Sequence, residues 1–365
     1  MACALLTTIA VASVIRLGDG GPDRPYFVGE GSQEQPSPDT SSPVGGQYAT
    51  DPVALAGSVD QELMSKGASL PVDVVVAGEL RTSTGGSISL AVIGAVAKAY
   101  RSARGWLVVG SRAGGASLWF VAEGGQPQPL LTGVDGLALA PDGLRVAWRA
   151  AAKLYLGTVT AGRVETIGEA ASEADGVPVG FVGTGVLVAS ADDRYAVWWP
   201  HLNTYVPTWR HLPSGVYGAL PDGRTLLAQT PGGSPAQPCL AKLDATAGLA
   251  VRAQTCDIPL NPGAVGWLSP DGKWLIAEGA VDAAVLVDLT DAFGDRRPAL
   301  NAGPGPYGPA AWLDARTVVH AGPGHELVCL HLDRLAEGKR DALERIPVPG
   351  AVASEPVLVV PRLVG

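Results

Sequence analysis

No run of clustered lysine or arginine occurs anywhere in this sequence, and charged residues of either sign make up only 17% of it. With a net charge of −9, the chain lacks the basic surface on which phosphate-backbone binding rests. Nucleic acid is therefore excluded as an expected partner, and an anionic lipid surface would repel the chain as well. Catalytic signatures are missing too. No Gly-x-Ser-x-Gly elbow is present to raise a nucleophilic serine. Gly232-Gly-Ser-Pro-Ala236 lacks the second glycine and reads as a loop. Ala302-Gly-Pro-Gly305 and Gly322-Pro-Gly324 are glycine-rich, but each has a proline where a phosphate cradle needs an N–H. No Lys-Ser/Thr pair follows either, so both read as turns. No cofactor is expected.

What the chain does have is apolar material and turn formers. Hydrophobic residues reach 47%, with 48 glycines and 30 prolines showing no triplet period. That balance suits many short strands joined by tight turns around a large core. Residues 1–16 form an apolar segment, uncharged from Ala2 to Ile15 and ended by Arg16. The run is short for a membrane span and about right for a signal-peptide core, with Ala10-Val11-Ala12 as a small-residue cleavage site. Residues 17–70 read as a flexible linker, its stretch Gly31–Gly46 having almost no apolar side chains to bury, with a short helix expected over 51–66.

From Pro71 onward, strand follows strand around a recurring turn. Ala140-Pro-Asp-Gly143 leads into Leu-Arg-Val-Ala-Trp148, Leu220-Pro-Asp-Gly223 into Arg-Thr-Leu-Leu-Ala228, and Ser269-Pro-Asp-Gly272 into Lys-Trp-Leu-Ile-Ala277. Proline pre-sets φ, Asp142, Asp222 and Asp271 can bond the backbone ahead of them, and Gly143, Gly223 and Gly272 supply positive φ. Looser copies occur at Ala103-Arg-Gly105, Val182-Gly-Thr-Gly185 and Leu313-Asp-Ala-Arg316. A spacing of about forty residues is the period of a four-stranded propeller blade.

The Ser269-Pro-Asp-Gly272-Lys-Trp-Leu-Ile unit resembles the repeat of TolB-type propellers, which are WD40-like. That resemblance implies an all-β propeller over residues 71–365 in a bacterial protein that is exported or tethered. No Trp-Asp dipeptide closes a third strand, and no hydrolase domain follows the repeats. Six complete units span Ala95 to Gly350. Two runs before them, Val72–Leu80 and Ser87–Val92, and one after, Pro356–Pro361, are left to close a seventh blade shared by both termini. A six-bladed ring with these runs packed elsewhere is the alternative.

Four cysteines are present. Cys239 and Cys256 stand at the far ends of two strand-like runs joined by Ala-Thr-Ala-Gly, so a hairpin brings them opposite one another, close enough for a disulfide. Cys3 and Cys329 are expected to be unpaired. His325, Cys329 and His331, near His320, have ligand chemistry and share a strand face, but Leu327 interrupts that face and the strand is packed on both sides. Core residues are the expectation there, with no metal. Most tryptophans repeat at the turn, as Trp106, Trp148, Trp267, Trp274 and Trp312 do, and suit packing between blades. Trp198, Trp199 and Trp209 are crowded into one blade with Tyr195 and Tyr205, which makes a ligand-binding aromatic platform the alternative to core there.

The expected function is a non-enzymatic binding or scaffold module of the cell envelope, outside the cytoplasm. It would be a monomer, touching the membrane only through its N-terminal segment and offering loops to a protein or envelope partner. The rival is an extracytoplasmic hydrolase or lyase whose acidic residues converge on the central channel.

Overall fold

The structure, a computed structural model, describes residues 70–363 apart from short segments at 113, 161, 173–174, 203–207, 213–214, 235–236, 280–282, 295–298 and 352–355. The N-terminal segment, the linker, its expected helix and Cys3 lie outside the described residues, as does Tyr205.

Seven four-stranded antiparallel sheets form a ring, and six of them are built from consecutive strands. Blade 2 holds β4 (Ala95–Ser102), β5 (Gly105–Arg112), β6 (Gly115–Ala122) and β7 (Gln128–Val134); blade 3 holds β8 (Gly136–Leu139), β9 (Arg145–Ala150), β10 (Lys153–Thr160) and β11 (Arg163–Ala171). Blade 4 comprises β12 (Val177–Val182), β13 (Gly185–Ala189), β14 (Arg194–Trp198) and β15 (Arg210–His211). In blade 5 come β16 (Val216–Ala219), β17 (Thr225–Ser234), β18 (Gln237–Asp244) and β19 (Ala250–Thr255). Blade 6 has β20 (Gly266–Leu268), β21 (Trp274–Glu278), β22 (Ala283–Asp288) and β23 (Ala299–Pro304); blade 7 has β24 (Ala311–Trp312), β25 (Thr317–Ala321), β26 (Glu326–His331) and β27 (Leu343–Pro347).

Blade 1 closes the ring from both directions. Its order is β28 (Leu358–Val359), then β1 (Val74–Val76), β2 (Glu79–Arg81) and β3 (Ser87–Ser89), so the innermost strand comes from the far end of the chain. The expected single strand Val72–Leu80 is in fact a hairpin. Ala77 (φ 52) and Gly78 (φ 70) turn it back, and Val75 pairs with Leu80. Positive φ at an alanine is uncommon, which hides this turn from a reading that looks for Asn, Asp or Pro.

The Pro-Asp-Gly turns join the first to the second strand of their blades, as expected. Gly143, Gly223 and Gly272 have φ of 67°, 66° and 67°. In the same turns Asp142 accepts the Leu144 amide at 2.9 Å, Asp222 the Arg224 and Thr225 amides at 2.8 Å, and Asp271 the Lys273 amide at 3.1 Å. These turns touch their neighbours around the ring. A Cβ on Gly183, in the corresponding turn of blade 4, would stand 2.5 Å from the Gly223 carbonyl oxygen, so only glycine lets the two turns approach. One glycine-rich segment differs from expectation: Ala302–Pro304 completes β23, whose pairing has a register shift, while Gly232–Ser234 ends β17, where its pairing with β18 is interrupted between Thr230 and Ser234.

The core is divided among the seven interfaces between neighbouring blades. Between blades 7 and 1 lie Val74, Val76, Val319 and Leu327; between blades 2 and 3, Leu107, Leu118, Val146 and Trp148. Alternation along each strand sends successive side chains to opposite interfaces, so every blade is held from both sides. Trp267, Trp274 and Trp312 all pack into the interface between blades 6 and 7, where large rings fill the wedge.

Candidate functional site

The innermost strands line the ring's centre and decide what chemistry is available there. β8 reads Gly-Leu-Ala-Leu, β12 Val-Pro-Val-Gly-Phe-Val, β16 Val-Tyr-Gly-Ala, β20 Gly-Trp-Leu, β24 Ala-Trp and β28 Leu-Val. None of these strands contributes a carboxylate or an imidazole. Only β4 carries charge, as Lys98 and Arg101. Lys98 and Tyr100 occupy alternate positions and share a face, opposite to the buried Ala99. Burial lowers the Lys98 ammonium pKa and pushes the Tyr100 phenol up to about 12.

A polar cluster lies at the seam, on the face that carries the Pro-Asp-Gly turns. Asp73, just before β1, is buried. Its Oδ1 accepts from the Ser83 amide at 2.7 Å and the Ser83 hydroxyl at 3.0 Å, and its Oδ2 from the Trp106 indole N–H at 2.8 Å. The Asp73 carbonyl accepts from the Val360 amide at 2.9 Å. One residue therefore joins the last strand of the chain, the β2–β3 loop and blade 2. Arg101 stacks over Trp106, 4.2 Å from the ring centroid, and is paired with Glu123. Beside these groups is a cavity of about 150 Å³, walled by Asp73, Ser83, Arg101, Trp312 and Arg362 among others.

On the opposite face, the long connection from β19 to β20 is pinned at several points. Cys239 and Cys256 are joined by a disulfide, with Cα atoms 4.1 Å apart. The register explains the pairing: Leu240 faces Thr255, so Cys239 faces Cys256. The buried Gln229 donates to the Asn261 carbonyl at 2.9 Å and accepts from the Gly263 amide at 3.0 Å, and its amide also lies 2.6 Å from the Tyr217 hydroxyl. Leu260 adds a bridge to Gly279. The next connection on the same face, from β23 to β24, presents Tyr307 at 58% exposure.

The structure separates the remaining candidates. Cys329 is buried and unbridged, and burial pushes its thiol up to about 11. Its sulfur lies 3.9 Å from His331 Nε2, whereas His325 sits outside the strand in the β25–β26 turn with φ 56. His320 is buried, and its Nδ1 donates to the Ala321 carbonyl at 2.9 Å. Among the described residues no group of three His, Cys, Asp or Glu is gathered as metal ligands would be. Trp198 is buried between blades 3 and 4, where Trp209 also packs, while Trp199 packs between blades 4 and 5. The three rings thus belong to two interfaces on either side of blade 4. Arg194 lies over Trp209, and His201 meets Trp199 edge-on. Sequence reasoning missed Asp73, Gln229 and Arg362, because each acts on residues far from it in the chain.

No protein-family model and no curated protein sequence matches the chain. Similar solved structures include Kuenenia stuttgartiensis hydrazine synthase (TM-score 0.49, 12% identity, 70% of this chain and 87% of that one). The Myceliophteria thermophila Cps50 (Swd1) β-propeller domain gives TM-score 0.49 and 14% identity over 76% of this chain and 90% of that one. BamB from Moraxella catarrhalis gives TM-score 0.44 and 14% identity over 68% and 70%.

Proposed function

We propose that this propeller is a binding module that presents the loops around blade 6 to a protein or envelope partner outside the cytoplasm. The observation that carries this reading is the pinned β19–β20 connection. A disulfide, a buried glutamine and a backbone bridge hold it in one conformation, and the exposed Tyr307 stands on the neighbouring connection of the same face. A loop ordered in advance loses little entropy on binding, and tyrosine is a favoured anchor at protein interfaces. The disulfide suits an oxidising compartment. The resemblance of the repeat to TolB-type propellers, the N-terminal apolar segment and the linker belong with the same reading. The rival hydrolase reading calls for carboxylates or imidazoles converging on the channel, and the described inner strands carry neither, their titratable side chains being Lys98, Tyr100, Arg101 and Tyr217.

Site-specific photo-crosslinking in the native host tests this. A crosslinker placed at Tyr307 is expected to give a discrete adduct, while one at Leu144, exposed on the opposite face, gives none. Adducts from Leu144 alone would move the binding face. Turnover of a glycan or lactone library by the purified protein, without adducts at either position, would overturn the binding reading.

A further inference from the structure

The seam cavity is not used by that reading, and two arginines, Arg101 and Arg362, stand on its wall. Arg101 and Arg362 are backbone bridge partners. The Arg101 amide donates to the Pro361 carbonyl at 2.8 Å, and the Leu363 amide to the Arg101 carbonyl at 2.9 Å. Side chains on directly paired extended residues lie about 5 Å apart at Cβ, where like charges repel. Arg101 is fixed by its stack on Trp106 and by Glu123, and Trp106 is itself fixed by its bond to Asp73. Arg362 is exposed and makes no ion pair or side-chain hydrogen bond among the described residues. Asp73, the acidic group on the wall, has both oxygens engaged by Ser83 and Trp106 and pairs with neither arginine. Two arginines thus line a cavity whose carboxylate, Asp73, accepts from Ser83 and Trp106 and pairs with neither of them.

We propose that this cavity is an anion site, taking one carboxylate or phosphate group between Arg101 and Arg362. Its volume of about 150 Å³ is several times what one water molecule needs, room for one small oxyanion. Each guanidinium presents several N–H groups in a planar fork suited to two oxygens, and the Arg101–Glu123 pair leaves donors over. Trp312 closes the wall from blade 7, Asp73 and Ser83 stand on blade 1, and Arg101 on blade 2. A bound anion therefore bridges three blades at the point where the ring closes, and it does so whichever face meets a partner.

The test is titration of the full chain with sodium phosphate and with sodium acetate against sodium chloride at constant ionic strength, read by calorimetry and by the melting temperature. Saturable binding of at least one anion is expected, with phosphate alone assigning a phosphoryl group and acetate a carboxylate. Arg362→Gln should weaken it about tenfold, the worth of one charge-assisted hydrogen bond. Glu123→Gln, a change at an exposed side chain that frees the Arg101 fork, should strengthen it by a factor of about three. Absence of any saturable response beyond chloride, or equal affinity in wild type and Arg362→Gln with Glu123→Gln also unchanged, would overturn the proposal.

Discussion

Blades 1 and 5 are the same unit built in two ways. In blade 5, strands of ten and eight residues, β17 and β18, follow one another directly and pair along most of their length. In blade 1 three strands are three residues long and the fourth is two, and that fourth strand arrives from the opposite end of the chain. Blade 5 is held by a local ladder, a disulfide and the Asp244 side chain. The Thr246 hydroxyl and the Arg252 guanidinium keep that carboxyl at about 2. Blade 1 has few ladder bonds and depends on single polar residues such as Asp73, together with the interfaces on either side of it. The difference teaches that a repeat can be weak in itself when the ring supplies its partners, since loop closure between distant segments is entropically costly only once.

Removing the distant strand is the strongest way to break this comparison. Deleting everything after Ala351 takes β28 from blade 1, exposes the inner edge of β1 and uncovers Val74 and Val76. The expected result is loss of cooperative urea unfolding, a larger effect than any single substitution. A truncated chain that melts like the full one would show that blade 1 stands without its fourth strand.

In blade 5 the Cys239→Ser/Cys256→Ser pair should cost about 3 kcal/mol, the chain-entropy value for a loop of this size. Chemical denaturation of the oxidised protein against the variant measures it. Hydrogen exchange should rise in the β19–β20 connection while the seam stays protected. Next in size, Asp73→Ala leaves the Trp106 indole N–H and the Ser83 amide without their acceptor at a buried site, at a cost of about 2 kcal/mol. Asp73→Asn, which retains one acceptor oxygen, should recover part of that loss. If Asp73→Ala melts as wild type does, the polar weld at the seam contributes nothing.

The smallest effect is one of pH, at His320 of β25, a strand that touches β28. Burial lowers its pKa, and its Nε2 has no hydrogen-bond partner. Below the ordinary imidazole value of about 6.5 the unfolded chain takes up a proton that the folded chain refuses, so stability falls as pH falls from there toward the depressed folded value. The slope reaches at most about 1.4 kcal/mol per pH unit. His320→Leu should flatten the stability profile below about pH 6.5. An equal slope in wild type and variant would mean that other groups carry it.

Much of blade 5 was legible without a structure. The Pro-Asp-Gly turns, the order of strands around them and the facing of Cys239 with Cys256 all follow from contacts between near neighbours in the chain. Blade 1 was legible as strands from both termini left to close a seventh blade, with six blades as the alternative, but its Ala77-Gly78 hairpin was hidden because alanine gives no turn signal. The tryptophans were partly legible. Repetition at the turn marks Trp106 and Trp148 as interface rings, but nothing local says that Trp198 and Trp199 serve different interfaces.

The sequence by itself determined a chain of four-stranded units with defined turns, because strand alternation and turn chemistry act over a few residues and repeat with a period that can be counted. Only the tertiary structure decided that seven blades close through β28 and that Asp73, Trp106, Arg101 and Arg362 meet around one cavity. Those contacts join opposite ends of the chain, and their geometry exists only once the ring has brought blades 7, 1 and 2 side by side.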